Sequence, residues 1–262
     1  MPIAAGKPFV VKCEAFEEEM NTTGHANPRQ RDRRLYIALS LSLIGVVFVG
    51  FARTYYLSAF FTERTRVLTW LLHLHGAVFS AWFVLLLVQV VLVARGRTDL
   101  HRRVGVAGAA LACIMVPLGL TVAIHAEKYG SFGTPSSAIA FARLAVPFFD
   151  MVVFGSLAAS GLLNRQRPQI HKRFMVLSAF SILTPAVVRI PLHLIQNHGF
   201  FPPYVIADLF LFLYIGYDTI LHKRLHPVCL WGGLLIVLSA PARFLIGGTG
   251  AWMMLARWLT HL

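Results

Sequence analysis

Long apolar runs separated by short polar turns recur along this chain after its first 34 residues. A helix needs about 20 predominantly apolar residues to cross the hydrocarbon core of a bilayer. We therefore predict an all-α fold, a polytopic membrane helical bundle over residues 35–262. Its seven transmembrane helices are predicted at Leu35–Leu57, Leu68–Ala94, Val104–His125, Ala138–Leu163, Phe174–Ile195, Tyr204–Leu221 and Val228–Gly247.

The composition supports a membrane protein. Of the 262 residues, 57% are hydrophobic and only 13% are charged, whereas a soluble domain has roughly 25% charged residues. In a soluble protein a net charge of +13 would indicate nucleic acid as a partner. Here the basic residues lie in short turns, where they set membrane topology. We therefore expect the lipid bilayer, and no nucleic acid, as a partner.

The basic segments all fall on one side of the seven-helix arrangement, which the positive-inside rule assigns to the cytoplasm. They are residues 29–34, 95–103, 164–173 and 222–224. We predict a multi-pass protein of the cell (inner) membrane with its N-terminus inside, and a polar cytoplasmic tail over residues 1–34. The last segment, Ala251–Leu262, is amphipathic, and we expect it either to extend the last transmembrane helix or to lie in the membrane interface with Trp252 and Trp258 as anchors.

Two of the basic turns repeat one pattern, R-x-R-x-x-x-H-[RK]-R, at Arg95–Arg103 and Arg165–Arg173. Each precedes an apolar run with a central proline, which indicates helical hairpins of a common type. Topology alone accounts for the arginines better than for the aligned histidines, His101, His171 and His222. For these histidines an interfacial position is favoured, and the alternative is a second haem or quinone site that faces the cytoplasm.

A layer of histidines is predicted at the opposite, outer end of the bundle: His73, His75, His125 and His193. Neutral imidazole binds zinc, copper and iron, including haem iron. Residues two apart on a helix point about 200° away from each other, so His73 and His75 do not bind one ion side by side. We predict His75, His125 and His193 as ligands, with His73 in a supporting role. Gly76 would let a macrocycle or a helix approach closely.

Arginines and carboxylates form two further groups of candidates. Four arginines lie in the outer halves of different predicted helices: Arg53, Arg143, Arg189 and Arg243. Their guanidinium groups would hold haem propionates, a lipid phosphate or an anionic substrate. The alternative is that they extend to the lipid headgroups. Asp150 and Asp208 are the candidate catalytic residues, because a carboxylate within a membrane helix is costly. Asp150 would pair with Arg143 two turns away, relay protons, or form a purely structural ion pair.

Three short motifs resemble those of known proteins: His101-Arg-Arg-Val-Gly105, His171-Lys-Arg-Phe-Met175 and Leu72-His-Leu-His-Gly76. In these motifs the chain resembles a group of little-characterised bacterial multipass membrane proteins with HRRxG and HKRxM turns. It is similar in plan to cytochrome b561-like and ferric-reductase-like haem membrane domains. That similarity implies haem b held by histidines and a role in electron transport.

Our leading hypothesis is a haem- or metal-binding redox protein, an electron-transfer oxidoreductase with haem b, or with copper or zinc as the alternative. A quinone or an anionic small molecule would be its partner. A second hypothesis is a non-catalytic helical subunit that binds partner subunits of a larger membrane complex. A third is a transporter or lipid-modifying enzyme that uses Asp150 and the arginines. The sequence contains no GxSxG, HExxH or Walker motif of a soluble enzyme.

Overall fold

The computed structural model describes residues 28–61, 68–129, 138–192 and 201–261, and in these ranges it contains helices and turns but no strand. A π-helical turn, Ala52–Tyr56, follows the first helix. The helices are α1 (Pro28–Phe51), α2 (Trp70–Ala94), α3 (Thr98–Lys128), α4 (Ala138–Leu163), α5 (Pro168–Ser181), α6 (Thr184–Val187), α7 (Phe201–His222), α8 (Pro227–Gly247) and α9 (Gly250–His261).

Six of these helices are long and apolar enough to cross a membrane: α1, α2, α3, α4, α7 and α8. The protein is therefore a multi-pass membrane protein that is all-helical over the described residues, which confirms the all-α, polytopic part of the predicted fold class. Helix α4 has the predicted bounds, and α8 starts one residue before the predicted position. Helix α1 begins at Pro28, so residues 28–34, which the sequence places in the polar tail, belong to a helix.

The fifth predicted transmembrane segment differs from expectation because it is interrupted. Helix α5 ends at Ser181, and the four-residue helix α6 follows after Ile182 and Leu183. Pro185 explains the break, since proline has no N–H to donate and its ring clashes with the carbonyl of the preceding turn. The apolar composition of Phe174–Ile195 predicts the burial of this segment but not its discontinuity.

Helix α4 is the centre of the bundle and packs against α3, α5, α8 and α9. In its most apolar stretch 44% of the residues are buried, against 17–28% in the other five candidate spans. Leu144, Phe154 and Leu157 are almost fully buried there. The most buried part of the bundle therefore surrounds α4, while exposed side chains such as Leu213 and Ile220 of α7 match a lipid-facing surface.

The contacts define two ends of the bundle. At the basic end, Asp32 of α1 contacts Lys172 of α5 and His222 of α7. At the opposite end, the Tyr56 and Ser80 hydroxyls lie 2.6 Å apart and join the π-helical turn to α2. The turns that carry the repeated R-x-R-x-x-x-H-[RK]-R pattern thus lie together at the basic end.

Helix α9 packs against α4 and does not place both of its tryptophans at an interface. Trp252 is 4% exposed, and its indole nitrogen donates a 2.8 Å hydrogen bond to the Phe141 carbonyl. The prediction that Trp252 anchors the chain in the membrane interface is therefore wrong, because this ring fills the space between α4 and α9. Trp258 is 59% exposed, as expected for an anchor.

Candidate functional site

His75 lies at the start of α2, near the opposite end of the bundle, with its ring centre 4.0 Å from that of Phe79. Its Nδ1 atom is buried and has no hydrogen-bond partner within the described ranges. Such an atom is a candidate ligand, since buried polar groups normally have a partner. Gly76 permits a close approach, as predicted: a Cβ atom there would lie 2.5 Å from the Tyr55 ring. The Tyr55 ring occupies the space that a side chain at position 76 would need.

His73 and His125, the other candidates of this outer site within the described residues, each have an aromatic neighbour of their own. His73 is exposed, and its ring lies 5.8 Å from that of Tyr55. His125 packs on Tyr129 at 4.5 Å between ring centres. His193 lies outside the described residues, so the ligand set of three stays a prediction. Across residues 28–61, 68–129, 138–192 and 201–261, no three or more His, Cys, Asp or Glu side chains are grouped to hold a metal ion.

Two of the four candidate arginines contact aromatic rings near the same end. The Arg53 guanidinium lies 5.3 Å from the Phe61 ring centre, and the Arg189 guanidinium lies 4.8 Å from that of Phe51. Arg189 also donates a 2.6 Å hydrogen bond to the Pro185 carbonyl. These contacts fit cation–π packing as well as the ligand-binding role that the sequence predicts.

The other two candidate arginines form ion pairs. Arg243 of α8 donates a hydrogen bond to Asp150 of α4, and both side chains are buried. Arg143 instead lies 3.2 Å from Glu127 of α3. The suggested pairing of Asp150 with Arg143 within α4 is therefore wrong, because α8 brings a guanidinium directly to Asp150.

A second carboxylate belongs to the surroundings of this buried pair. Asp208 and Tyr204, both on α7, interact electrostatically with Arg243. The Arg243 guanidinium also donates a 2.8 Å hydrogen bond to the Ser239 hydroxyl. The two candidate catalytic carboxylates thus share one arginine, a proximity that the sequence does not predict.

At the basic end, the two repeated turns bring their histidines together. His101 at the start of α3 and His171 at the start of α5 face each other, with ring centres 6.3 Å apart and ring planes at 86°. His171 donates from Nδ1 to the Gly161 carbonyl at 2.7 Å, because a carbonyl oxygen only accepts. The Nε2 atom of His171 is therefore left with a free lone pair.

Gln89 of α2 forms the hydrogen bond that sets the tautomer of the other imidazole, His101. In the amide orientation that satisfies all of its contacts, the Gln89 nitrogen lies 2.5 Å from His101 Nδ1, and its oxygen accepts from the Gly105 N–H at 2.9 Å. His101 then carries its proton on Nε2. Rotation of the amide would place its oxygen against the His101 carbonyl and its nitrogen against the Gly105 N–H, so the contacts of Gln89 favour the His101 tautomer with the proton on Nε2.

An ion pair that the sequence does not predict lies beside this histidine pair. Arg173 of α5 binds Asp218 of α7 through two nitrogens, at 2.9 and 3.1 Å, and the two side chains are 1% and 0% exposed. A third nitrogen donates to the side-chain oxygen of Gln169 at 2.9 Å. This bidentate geometry is the strongest arrangement for an arginine and a carboxylate.

Polar side chains of α1, α7 and α8 complete the network around Asp218. The Tyr36 hydroxyl donates to Asp218 at 3.5 Å and lies 3.4 Å from the Tyr214 hydroxyl. The Cys229 thiol donates to the same carboxylate at 3.7 Å. Asp218 also contacts His222, four residues further along the same helix, at 3.4 Å.

Sequence reasoning misses Arg173 because it belongs to a basic turn, where an arginine is expected to be a topology signal. Its counterpart in the first repeat, Arg103, is exposed, which is the behaviour expected of such a signal. The signal that could have indicated this ion pair is Asp218, one of few acidic residues in the apolar runs. A buried carboxylate requires a partner of opposite charge.

Comparisons with known proteins give no relative for this chain. No protein-family model, no curated protein and no solved structure matches it. The functional argument therefore depends on the geometry of the site.

Proposed function

We propose that this protein is a membrane electron-transfer protein that binds haem b, or alternatively copper, between the imidazoles of His101 and His171. The observation that supports the proposal most strongly is the facing pair itself, which two repeated turns supply from different helices. In the proposed arrangement the interrupted segment α5–α6 completes a seventh membrane crossing. The basic end is cytoplasmic, and the protein resides in the cell (inner) membrane.

The spacing of the two rings suits a metal with imidazoles on opposite sides. A metal–imidazole bond is about 2.0 Å long and the ring centre lies about 1.1 Å beyond the nitrogen, so two opposed rings have centres about 6.2 Å apart. The observed 6.3 Å agrees with this value. A tetrahedral zinc ion would bring the centres closer, to about 5 Å. Haem iron or linear copper(I) therefore suits the pair better than zinc.

The hydrogen bond of His171 also suits metal binding. Metal-bound imidazoles usually donate their second N–H to a carbonyl or carboxylate, which fixes the tautomer. The Gly161 carbonyl has this role for His171. For His101, metal binding through Nε2 would require the Gln89 amide to rotate, so that its oxygen accepts from Nδ1 and its bond from the Gly105 N–H is lost.

A bound haem would supply reversible one-electron transfer, and the residues of this chain would hold and tune it. The Gly161 carbonyl makes His171 a stronger donor by polarising its N–H. His75, with its unpartnered Nδ1, is the candidate ligand for a second site at the opposite end. The nearby positive charge of Arg189 would stabilise propionates there. Two such sites would let electrons cross the bilayer, from a donor such as a quinol.

The proposal is tested by absorption spectra of the detergent-purified protein, oxidised and dithionite-reduced, with metal analysis of the same sample. A Soret band with sharp reduced α and β bands, at one or two haems per chain, is the expected result. Stoichiometric copper without these bands would identify the alternative cofactor. A colourless protein without bound metal would refute the proposal.

The substitution Gln89→Leu is expected to weaken cofactor retention by about 10–100-fold, the usual effect of removing a hydrogen bond to a metal-bound imidazole. Leucine is similar in length to glutamine, and α2 is already rich in leucine and valine, so the substitution is expected to preserve the fold. Haem content per chain after purification measures the effect. Unchanged haem content in Gln89→Leu would show that Gln89 does not position His101.

A transporter is the second candidate, because two observations favour it. Asp150 and Arg243 form a buried ion pair between α4 and α8, and the helix between them in sequence is interrupted at Ile182. Broken helices and buried charges often mark transport sites near the middle of a membrane.

The substitution Asp150→Asn separates the two candidate functions. It is expected to leave the haem spectrum unchanged, since Asp150 does not contact His101 or His171. A transporter would lose proton-coupled uptake in proteoliposomes, measured with a pH-sensitive dye. The matched control is Ser156→Ala, an exposed position on the same helix. Loss of haem in Asp150→Asn without loss of folded protein would contradict the placement of the cofactor at His101 and His171.

A further inference from the structure

A cleft of about 240 Å³ opens at the basic end, separate from the facing histidines. It lies between the starts of α5 and α8 and the end of α7, and its walls are Gln169, Arg173, His222, Arg224 and His226. His171 and Arg173 are two residues apart on α5 and so point about 200° away from each other. The cleft therefore lies across α5 from the proposed cofactor.

The inner wall of the cleft is a rigid guanidinium group. Arg173 is fixed by Asp218 on one side and by Gln169 on the other, and its side chain is 1% exposed. An arginine that only sets topology is expected to be exposed and free to extend to the headgroups, as Arg165 and Arg167 are. The burial of Arg173 beside an open cleft is therefore not explained by topology.

The electrostatic character of the cleft is positive. None of its five lining residues is acidic. The two nearby carboxylates are already engaged: Asp218 binds Arg173, Asp32 binds Lys172 at 2.5 Å, and both also contact His222. Burial lowers the pKa of His226, and the positive charges of Arg173 and Arg224 act in the same direction, while the negative charge of Asp218 opposes them. An anion in the cleft would relieve this repulsion.

The turn that forms the rim has an unusual backbone. Lys223 has a φ of 55°, a left-handed conformation that side chains other than glycine rarely adopt. The turn then continues to His226, which caps α8 by accepting from the Val228 N–H at 3.2 Å. A strained conformation of this kind persists where the surroundings impose it, often at binding sites. Here it holds Arg224 at the mouth of the cleft.

We propose that this cleft binds a phosphate group, with Arg224 and His226 around it and Arg173 behind it. Planar guanidinium groups bind phosphate oxygens through paired hydrogen bonds, and basic pockets between membrane helices bind anionic lipid headgroups. The volume accommodates a phosphate and a small substituent but is below the usual range for a drug-sized ligand, about 300–1,000 Å³. The phosphate belongs either to an anionic lipid or to a small soluble compound. The proposal does not depend on the cofactor.

The experiment measures thermal unfolding of the full chain in neutral detergent with added phosphatidylglycerol, phosphatidylcholine, inorganic phosphate or chloride at equal ionic strength. The cleft variant is Arg224→Gln/His226→Asn, because asparagine retains the ability to cap a helix. The single variant Arg224→Gln provides a second test if the double variant folds poorly. The matched control is Arg165→Gln, an exposed arginine of another basic turn.

Phosphatidylglycerol is expected to stabilise the wild-type protein and Arg165→Gln equally. The cleft variants are expected to bind it at least about tenfold more weakly, since each charge-assisted hydrogen bond lost is worth about a factor of ten or more. Stabilisation by inorganic phosphate, and not by the lipid, would support a soluble phosphate compound. Equal binding by the cleft variants and the wild type, or no stabilisation by either phosphate source, would overturn the proposal.

Discussion

The substitution His171→Ala is expected to remove the Soret band of the proposed haem at the basic end, with a loss of haem at that site of well over tenfold. His171 is the imidazole whose tautomer is already correct for metal binding, because the Gly161 carbonyl holds its Nδ1 proton. Alanine leaves no donor at that position, and removing even an outer hydrogen-bond partner typically weakens metal binding by about 10–100-fold. Haem per chain, from the pyridine haemochromogen spectrum, is the measurement.

The control for this experiment is His261→Ala, an exposed histidine at the end of α9. It is expected to retain wild-type haem. His101→Ala should reproduce the loss seen for His171→Ala, since both rings are required for six-coordinate iron. His75→Ala should remove only a second haem if the protein binds two. Wild-type haem content in both His101→Ala and His171→Ala would show that the cofactor is held elsewhere, while the proposed redox function would remain intact.

The angle between the rings provides an independent signature. The planes of His101 and His171 are nearly perpendicular, at 86°. A haem held by His101 and His171 would report this angle in its ferric EPR spectrum: one large g value is expected for perpendicular imidazoles, and three resolved g values for parallel ones. A rhombic spectrum in the wild-type protein would contradict the geometry proposed for this pair.

Hydropathy is sufficient to predict most of the fold, because a bilayer sets the length of an apolar helix. The bounds of α4 and α8 follow from composition almost to the residue. The break after Ser181 does not, because it depends on Pro185 and on how α5 packs against its neighbours. Three other apolar helices, α3, α4 and α8, contain a proline and stay continuous. The presence of a proline alone therefore does not identify the interruption.

The candidate site is harder to predict because its contacts join distant parts of the sequence. Asp150 pairs with Arg243, 93 residues away, instead of with the nearer Arg143. Helical periodicity describes which residues share a face, but it does not say which helices are neighbours. The repeat is the useful signal. It aligns His101 with His171 in the sequence, and in the folded protein the two rings face each other.

Stability is expected to depend strongly on Arg173 and Asp218 both being present, because either charge alone would be buried without a partner. Arg173→Met should lower the free energy of unfolding by about 3–5 kcal/mol, because it leaves the Asp218 carboxylate buried without its cation. The double variant Arg173→Met/Asp218→Leu should recover most of that loss, since well-packed apolar residues often replace a buried ion pair at little cost. Unfolding by denaturing detergent in mixed micelles is the measurement.

An exposed pair on the same end of the protein provides the matched control. Arg97 lies 3.8 Å from Asp99, and their side chains are 61% and 68% exposed. Arg97→Met should change the free energy of unfolding by less than about 1 kcal/mol, because solvent screens exposed ion pairs. If Arg173→Met were as stable as Arg97→Met, the Arg173–Asp218 pair would not order the basic end. The rigid wall of the phosphate cleft would then lose its physical basis, because the fixed position of Arg173 depends on Asp218.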